Sequence, residues 1–123
     1  MVRLAAFCLA FAGCSRAPDP SRELSDEELR EIARRPIEES EVNQVDVIVG
    51  RHRGTPVRMT VRCGDLCPDY SVRIVRYDVD PATCPRVGGS IVRMGVPSAA
   101  SVSLVDMCLP APIAAEQPTR WTR

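Results

Sequence analysis

The chain of 123 residues contains no lysine, a single histidine and few aromatic side chains. Its sixteen basic residues are all arginine and balance sixteen acidic residues, so the formal net charge is zero. A neutral chain with few stacking rings lacks the electrostatic attraction and the aromatic platforms that nucleic acid requires, and we expect no nucleic-acid partner. The excess of arginine, alanine, valine and proline is typical of a GC-rich coding sequence.

Aromatic residues are scarcest where a core is expected. Phe7 and Phe11 lie near the N-terminus and Trp121 lies near the C-terminus, which leaves only Tyr70 and Tyr77 in the middle of the chain. The core must therefore consist of valine, isoleucine, leucine and methionine. A small aliphatic core supplies limited burial energy, so the sequence predicts one small domain held by a covalent staple.

Residues 4–12 form an apolar run behind a short positive segment. The run is too short to span a bilayer, which needs about 20 apolar residues; it fits the hydrophobic region of a secretory signal peptide. Residues 11–14, Phe-Ala-Gly-Cys, resemble the lipobox of bacterial lipoproteins, in which the cysteine is diacylated and becomes the mature N-terminus. The resemblance implies a signal peptide at residues 1–13 and a lipid anchor on Cys14, with the membrane as partner.

A second interpretation of this region remains open. Phe11 departs from the lipobox, where leucine is usual, and residues 10–12 also form an Ala-x-Ala cleavage site that would release a soluble periplasmic protein beginning at Gly13. If Cys14 is acylated, resemblance to lipoprotein sorting in Gram-negative bacteria implies the outer membrane, because Ser15 rather than aspartate follows. Residues 14–22 are predicted to be the acylated cysteine and a proline-containing tether facing the periplasm.

The clearest local signal is a helix start. Ser25 and Glu28 have the spacing of a capping box, and Leu24 and Leu29 have that of a hydrophobic staple. The acidic first turn and the arginines that precede the next proline limit the helix to about residues 26–34. Its apolar stripe is thin, so we expect it to dock on a sheet.

From residue 42 the apolar period changes to two, which indicates strands with one buried and one solvated face. The parity changes near residues 75–76, which predicts a bulge or a strong twist. The proline-containing residues 111–123 are predicted to be a disordered tail. The sequence therefore predicts a mostly β (α+β) domain over residues 23–110, with one short N-terminal helix and a small antiparallel sheet of about five strands over residues 42–109. The strands lie at about residues 45–50, 57–63, 70–79, 91–96 and 101–109, and residues 51–56 form a turn.

The domain contains an even set of cysteines in a chain with an export signal, which favours two disulfides. Their spacing misses the paired Cys-x2-Cys pattern of zinc sites and the Cys-x-x-Cys pattern of redox sites. We therefore predict structural bridges and no metal or cofactor, with a thiol-disulfide or zinc-binding protein as the alternative. Three pairings are compatible with the set Cys63, Cys67, Cys84 and Cys108.

Residues 63–74 resemble the motif of a bacterial envelope domain of unknown function. In that motif, two cysteines with three residues between them precede Pro-x-Tyr and an alternating strand. Cys63, Cys67, Pro68 and Tyr70 match, whereas Gly64 lies one position before the glycine of that family. Because the family motif carries the close pair without the distant ones, the resemblance implies a Cys63–Cys67 bridge and leaves Cys84 to pair with Cys108. The resemblance implies a fold and a location in the cell envelope, and it implies no activity.

Candidate catalytic residues are few. His52 lies between two arginines with no neighbouring nucleophile or orienting group, so the sequence predicts a solvated turn residue. The acidic residues near the cysteines lack the spacing of a calcium loop and are predicted to cap turns. These residues are Asp65, Asp69, Asp78 and Asp80. We therefore predict that the protein is not an enzyme.

Arginines alternate with apolar residues in the predicted strands. Arg58, Arg62 and Arg73 could share the solvated face, where guanidinium groups suit carboxylate or phosphate ligands. The competing interpretation is an ordinary solvated face paired with acidic side chains. The sequence thus predicts a non-enzymatic envelope module that binds or scaffolds an envelope protein or an anionic cell-wall component.

Overall fold

A computed structural model describes residues 18–63, 71–98 and 101–116 of the chain. Within these ranges the fold is mostly β, and all strand pairs are antiparallel, as predicted. The strands form two sheets rather than one, with the orders β1-β2-β3 and β4-β5. None of the described helices has the length and apolarity needed to cross a bilayer. The elements are α1 (Asp26–Arg34), β1 (Asp46–His52), β2 (Thr55–Arg62), β3 (Val72–Tyr77), β4 (Ser90–Ser98), β5 (Ser101–Leu109) and α2 (Ala111–Glu116), with 3₁₀ helices at Glu39–Glu41 and Pro81–Val87.

Helix α1 has the predicted bounds and the predicted cap. The Ser25 hydroxyl accepts a hydrogen bond from the Glu28 backbone N–H at 3.1 Å, and the Glu28 carboxylate accepts one from the Ser25 N–H at 2.8 Å. Leu24 and Leu29, the two residues of the predicted staple, are both buried in the core. A nine-residue helix is marginal in isolation, so this burial supplies most of its stability.

Strands β1 and β2 form a tight hairpin. His52 pairs with Thr55, so the turn consists of Arg53 and Gly54 alone, which is shorter than the predicted turn over residues 51–56. Both turn residues have positive φ, 52° and 84°, the combination required by a type I′ turn between two twisted strands. The shorter turn places His52 inside the sheet.

The segment before α1 runs alongside β1. The Arg51 N–H donates to the Arg22 carbonyl at 2.8 Å, and the Leu24 N–H donates to the Arg51 carbonyl at 2.6 Å. Gly50 permits this approach, because a Cβ at that position would lie 2.7 Å from the Arg22 carbonyl oxygen. Residues 22–24 are therefore tied to the sheet directly before the helix begins.

Strand β3 pairs with β2 in an unbroken register from Val72 to Tyr77. Of the two alternatives predicted near residues 75–76, the bulge is therefore wrong. Ile74 and Val75, which point to opposite faces, are only 2% and 3% exposed, so β3 is buried on both sides. A strand covered on both faces needs no alternation, and the change of parity reflects this double burial.

A disulfide joins Cys84, in the second 3₁₀ helix, to Cys108 in β5, which confirms this predicted pair. Both cysteines are buried, and the bridge lies against Gly89, which also contacts the ring of Tyr77. The bond therefore holds the connection after β3 to the second sheet. Cys63 is also disulfide-bonded. Its predicted partner Cys67 lies outside the described residues, so that pairing stays a prediction.

Residues 111–116 were predicted to be disordered, and this prediction is wrong. They form α2, in which Ile113 is 2% exposed and belongs to the main core. Pro112 occupies the first turn, where backbone N–H groups have no partner within the helix and proline is tolerated. The helix contacts α1 and β4, so burial of one isoleucine outweighs a composition typical of disorder. The rest of the predicted tail lies outside the described residues.

Replacing Gly89 with alanine should destabilise the domain. The added Cβ would lie 2.5 Å from the Cys108 sulfur and 3.0 Å from both the Cys84 sulfur and the Tyr77 ring. Overpacking of this kind typically costs about 1–3 kcal/mol. Urea unfolding of Gly89→Ala should show this loss, whereas the exposed neighbour Ser90→Ala should stay within about 0.5 kcal/mol of the wild type. Equal stability of the two variants would contradict the packing described.

Candidate functional site

His52 lies in the interior rather than in a solvated turn, so the prediction for this residue is wrong. Its side chain is 1% exposed. Nδ1 lies 2.7 Å from the Tyr77 hydroxyl, and Nε2 lies 2.7 Å from the Asp26 carboxylate. The cause is the register of the hairpin, which directs His52 to the same face of the sheet as Thr55, Val57 and Tyr77.

These three side chains form a polar link that we call the Asp26–His52–Tyr77 relay. The Asp26 carboxylate can only accept, so Nε2 carries the proton, and Nδ1 accepts from the Tyr77 hydroxyl. Burial raises the pKa of Tyr77, which keeps the hydroxyl a donor. The hydrogen bond from His52 lowers the pKa of Asp26 despite opposing desolvation, and Arg53 contributes in the same direction.

The relay resembles the arrangement of a catalytic triad only in its atoms. In a triad the terminal hydroxyl faces the substrate, whereas Tyr77 is 1% exposed and its ring stacks beside His52 with centroids 5.9 Å apart. The tyrosine oxygen is occupied by His52 within the core. The relay therefore satisfies buried polar atoms and connects the first turn of α1 to β1 and β3.

Arg73 also lies in the interior, which corrects the predicted arginine row. Its side chain is 3% exposed and pairs with the Glu41 carboxylate at 2.8 Å. A second guanidinium nitrogen donates to the Arg35 carbonyl, at the C-cap of α1. Burial lowers the pKa of Arg73, and Glu41 opposes this effect. The physical reason is again register: Arg73 is paired with Val61, on the apolar side of β2.

Arg73 and the relay hold the two ends of the same helix. Tyr77 reaches Asp26 through His52, and Arg73 reaches the carbonyl of Arg35, so α1 runs antiparallel to β3. The nine-residue rise of the helix is about 13.5 Å, and four steps along the strand span about 13 Å. The spacing of the two polar contacts on β3 therefore matches the length of α1.

The remaining two arginines of the predicted row differ from each other. Arg58 lies between two carboxylates, with Asp46 at 2.7 Å and Asp78 at 3.1 Å, which raise its pKa. Arg62 is exposed at the end of β2. Because one arginine is buried and another is bracketed by acidic groups, the three do not form a cationic row.

The cysteine motif is held from its N-terminal side by Asn43. The Asn43 amide donates to the Cys63 carbonyl and accepts from the Cys63 N–H, both at 3.1 Å. Asn43 adopts a positive φ of 56°, which asparagine tolerates better than most residues. Cys14, Cys67, Asp65 and Asp69 lie outside the described residues. Within the described ranges, no group of three or more His, Cys, Asp or Glu side chains is placed to hold a metal ion.

The second hairpin carries the most exposed apolar side chains among the described residues. Ile91, Val102 and Leu104 are 50%, 55% and 70% exposed. Their register places all three on the same side of the β4-β5 sheet, and we call them the hairpin surface. The adjacent charges, Arg93 and Asp106, pair with each other at 2.9 Å. The hairpin surface is therefore apolar and locally neutral, and alternation alone did not distinguish it from a buried face.

Stability at low pH should depend on Asp26. Its pKa is lowered in the folded state, so its contribution is present above the unfolded value of about 4 and is lost as pH falls through the folded pKa. Asp26→Asn should therefore weaken the loss of stability on acidification, measured as urea midpoints between neutral pH and about pH 3. Glu27→Gln, in the same exposed helical turn, is the control. An unchanged acid dependence in Asp26→Asn would contradict the relay.

Removal of Arg73 should be costly, in contrast to removal of Arg62. Arg73→Thr removes the guanidinium that donates to the Glu41 carboxylate and to the Arg35 carbonyl, a loss of about 1.5–3 kcal/mol in unfolding free energy. Arg62→Thr replaces an exposed strand residue by a good strand former and should change stability by less than about 0.5 kcal/mol. Equal effects in chemical denaturation would restore the predicted solvated row.

No family model matches the chain, and comparisons with curated proteins and with solved structures also find no match. The contacts of the described residues therefore carry the functional assignment.

Proposed function

We propose that the protein is a non-enzymatic, lipid-anchored envelope module that presents a disulfide-stapled β domain on the periplasmic side of the outer membrane. Its role is to bind or scaffold another envelope component. The lipobox-like residues before Cys14 support the anchor, and the tether over residues 14–22 is short enough to keep the domain near the membrane. The proposal joins this N-terminal signal to the properties of the folded domain.

The observation that carries the proposal is the buried Cys84–Cys108 disulfide. The two cysteines are 0% and 1% exposed, and Gly89 packs directly against both sulfur atoms and beside the ring of Tyr77. Disulfides persist in oxidising compartments such as the periplasm. A bridge that closes a sequence separation of 24 residues stabilises a small domain by about 2–4 kcal/mol, which suits a structural staple.

The buried polar side chains that could take part in catalysis have structural partners as well. The His52 ring nitrogens contact Asp26 and Tyr77 in the relay, and the Arg73 guanidinium fastens the end of α1. These contacts support a binding role over catalysis, because the terminal hydroxyl of the relay, on Tyr77, is buried in the core, whereas a catalytic nucleophile must reach the substrate. The hairpin surface, by contrast, is directed outward.

The hairpin surface is the part of the domain that we assign to contact with a partner. Exposed apolar side chains gathered on one side of a sheet are typical of interaction sites. The paired charges of Arg93 and Asp106 leave no excess charge beside it, so the contact is apolar rather than ionic. This replaces the arginine row as the candidate surface.

The alternative, a thiol-disulfide or zinc-binding protein, requires cysteines that are accessible or reduced. Redox cysteines react as exposed thiolates, and zinc is bound by thiolates. Cys84 and Cys108 are bonded to each other beneath Gly89 and Tyr77, which disfavours both chemistries at this pair. Thiol titration of the protein from the periplasm distinguishes the two: we expect no free thiol before reduction.

The anchor is tested by metabolic labelling with an alkyne analogue of palmitate. The wild type should be labelled and Cys14→Ala should not, because the acyl chain is attached to that sulfur. Cys8→Ala, which changes a cysteine within the apolar run, should retain the label and serves as the matched control. An unlabelled wild type whose mature chain begins at Gly13 would refute the lipid anchor.

A further inference from the structure

The outer edge of β5 has two properties of an association site. Among the described residues, β5 forms a hydrogen-bonded ladder with β4 alone, so the other side of the strand lacks a ladder partner there. Residues 101–106 are exposed one after another. Unpaired edge strands expose backbone donors and acceptors that another strand can use, and natural proteins usually protect them with lysine, proline, bulges or inward charges.

These protective devices are missing from β5. The strand Ser-Val-Ser-Leu-Val-Asp-Met-Cys-Leu contains no proline, and its pairing with β4 runs without a register shift. Its single charge, Asp106, is bound by Arg93 of the same hairpin. Strand β3 contacts β5, and residues 107–109 of β5 are buried, so the exposed part of this edge is residues 101–106. A second β5 strand approaching these residues would meet no unpaired like charge.

From this edge and the hairpin surface we infer that the protein forms a symmetric homodimer, in which β5 pairs antiparallel with β5 of a second copy. The inference rests on the proposed role of this hairpin in contact with a partner, and it names a second copy of the chain as the occupant of the β5 edge. The product is a continuous four-stranded sheet with the order β4-β5-β5-β4. A two-stranded sheet is only marginally stable in isolation, and pairing with further strands at its edge stabilises it.

The register between the two β5 strands of the dimer follows from their side chains. A two-fold axis perpendicular to the sheet at Ser103 places Val102 opposite Leu104 of the second copy, and Leu104 opposite Val102 of the second copy. All four apolar side chains then lie on the same side of the joined sheet. Moving the axis to Leu104 would place Val102 opposite Asp106, which is unfavourable. The Ser103 register is therefore better for apolar pairing than the Leu104 register, and each such cross-strand pair contributes about 0.2–1 kcal/mol.

The composition of the β5 edge favours a second copy of β5 over a strand of other composition. The edge is neutral and its apolar side chains alternate with serine, so the complementary strand is itself apolar, neutral and small at alternate positions. These are the properties of residues 101–105. The paired segment is short, and we expect a reversible dimer of modest affinity rather than an obligate one.

The test is a cysteine placed on the axis. In Ser103→Cys, the two introduced thiols face each other in the full-length chain. Directly opposed residues of antiparallel strands have Cα atoms about 4.5–5.5 Å apart, within the range that a disulfide bridges. We expect a covalent dimer on non-reducing gels, removed by reductant, with peptide mapping that joins position 103 to position 103. Ser40→Cys, at an exposed serine of the first 3₁₀ helix, is the control and should stay monomeric.

A second variant separates pairing at this edge from adventitious oxidation. Leu104→Asp, added to Ser103→Cys, places a carboxylate on each side of the axis and should abolish the covalent dimer. In the protein without added cysteines, Leu104→Asp should also remove any concentration-dependent dimer seen by sedimentation velocity. Ser103→Cys that remains monomeric would overturn the inference. Ser103→Cys that becomes joined to a different protein would also overturn it, while leaving the proposed binding role in place.

Discussion

Tyr77 is the contact on which the separate parts of the domain depend. Its ring lies against Gly89, which also packs against the Cys84–Cys108 disulfide, and its hydroxyl donates to His52. Through His52 the contact extends to Asp26 in the first turn of α1. One large side chain thus joins the three-stranded sheet, the helix and the disulfide-linked segment. In a chain with so few aromatic residues, no comparable ring is available in the described core to replace it.

The polar contacts of the core fix the position of α1 on the three-stranded sheet. His52 and Arg73 lie on the same side of the three-stranded sheet as Tyr77, and each forms hydrogen bonds to α1 or to the segment that follows it. Among the described residues, Arg73 Nε is a buried polar atom without a hydrogen-bond partner, whereas both terminal nitrogens of this guanidinium are paired. Buried polar groups are destabilising unless they are paired, so these hydrogen bonds form only in one arrangement of helix and sheet. An aliphatic core alone would allow α1 several positions on the sheet. These hydrogen bonds select one of them.

Features set by neighbouring residues were predictable from the sequence. The bounds and cap of α1 follow from Ser25, Glu28 and the spacing of leucines, all within one segment, and they were confirmed. The antiparallel strands follow from local alternation. The division into two sheets, the burial of β3 on both faces and the docking of Ile113 depend on residues distant in sequence. The same holds for His52 and Arg73, whose environment is set by the register of β1, β2 and β3.

The match between α1 and β3 has a consequence for the permitted lengths of these elements. One residue inserted in α1 would rotate the following residues by about 100° and move them by about 1.5 Å, so Asp26 and Arg35 could not both keep their partners. One residue inserted in β3 would send Arg73 or Tyr77 to the opposite face. The length of α1 and the spacing of Arg73 and Tyr77 along β3 must therefore stay matched. Insertions and deletions among homologous sequences should therefore fall in the connections and not within these two elements.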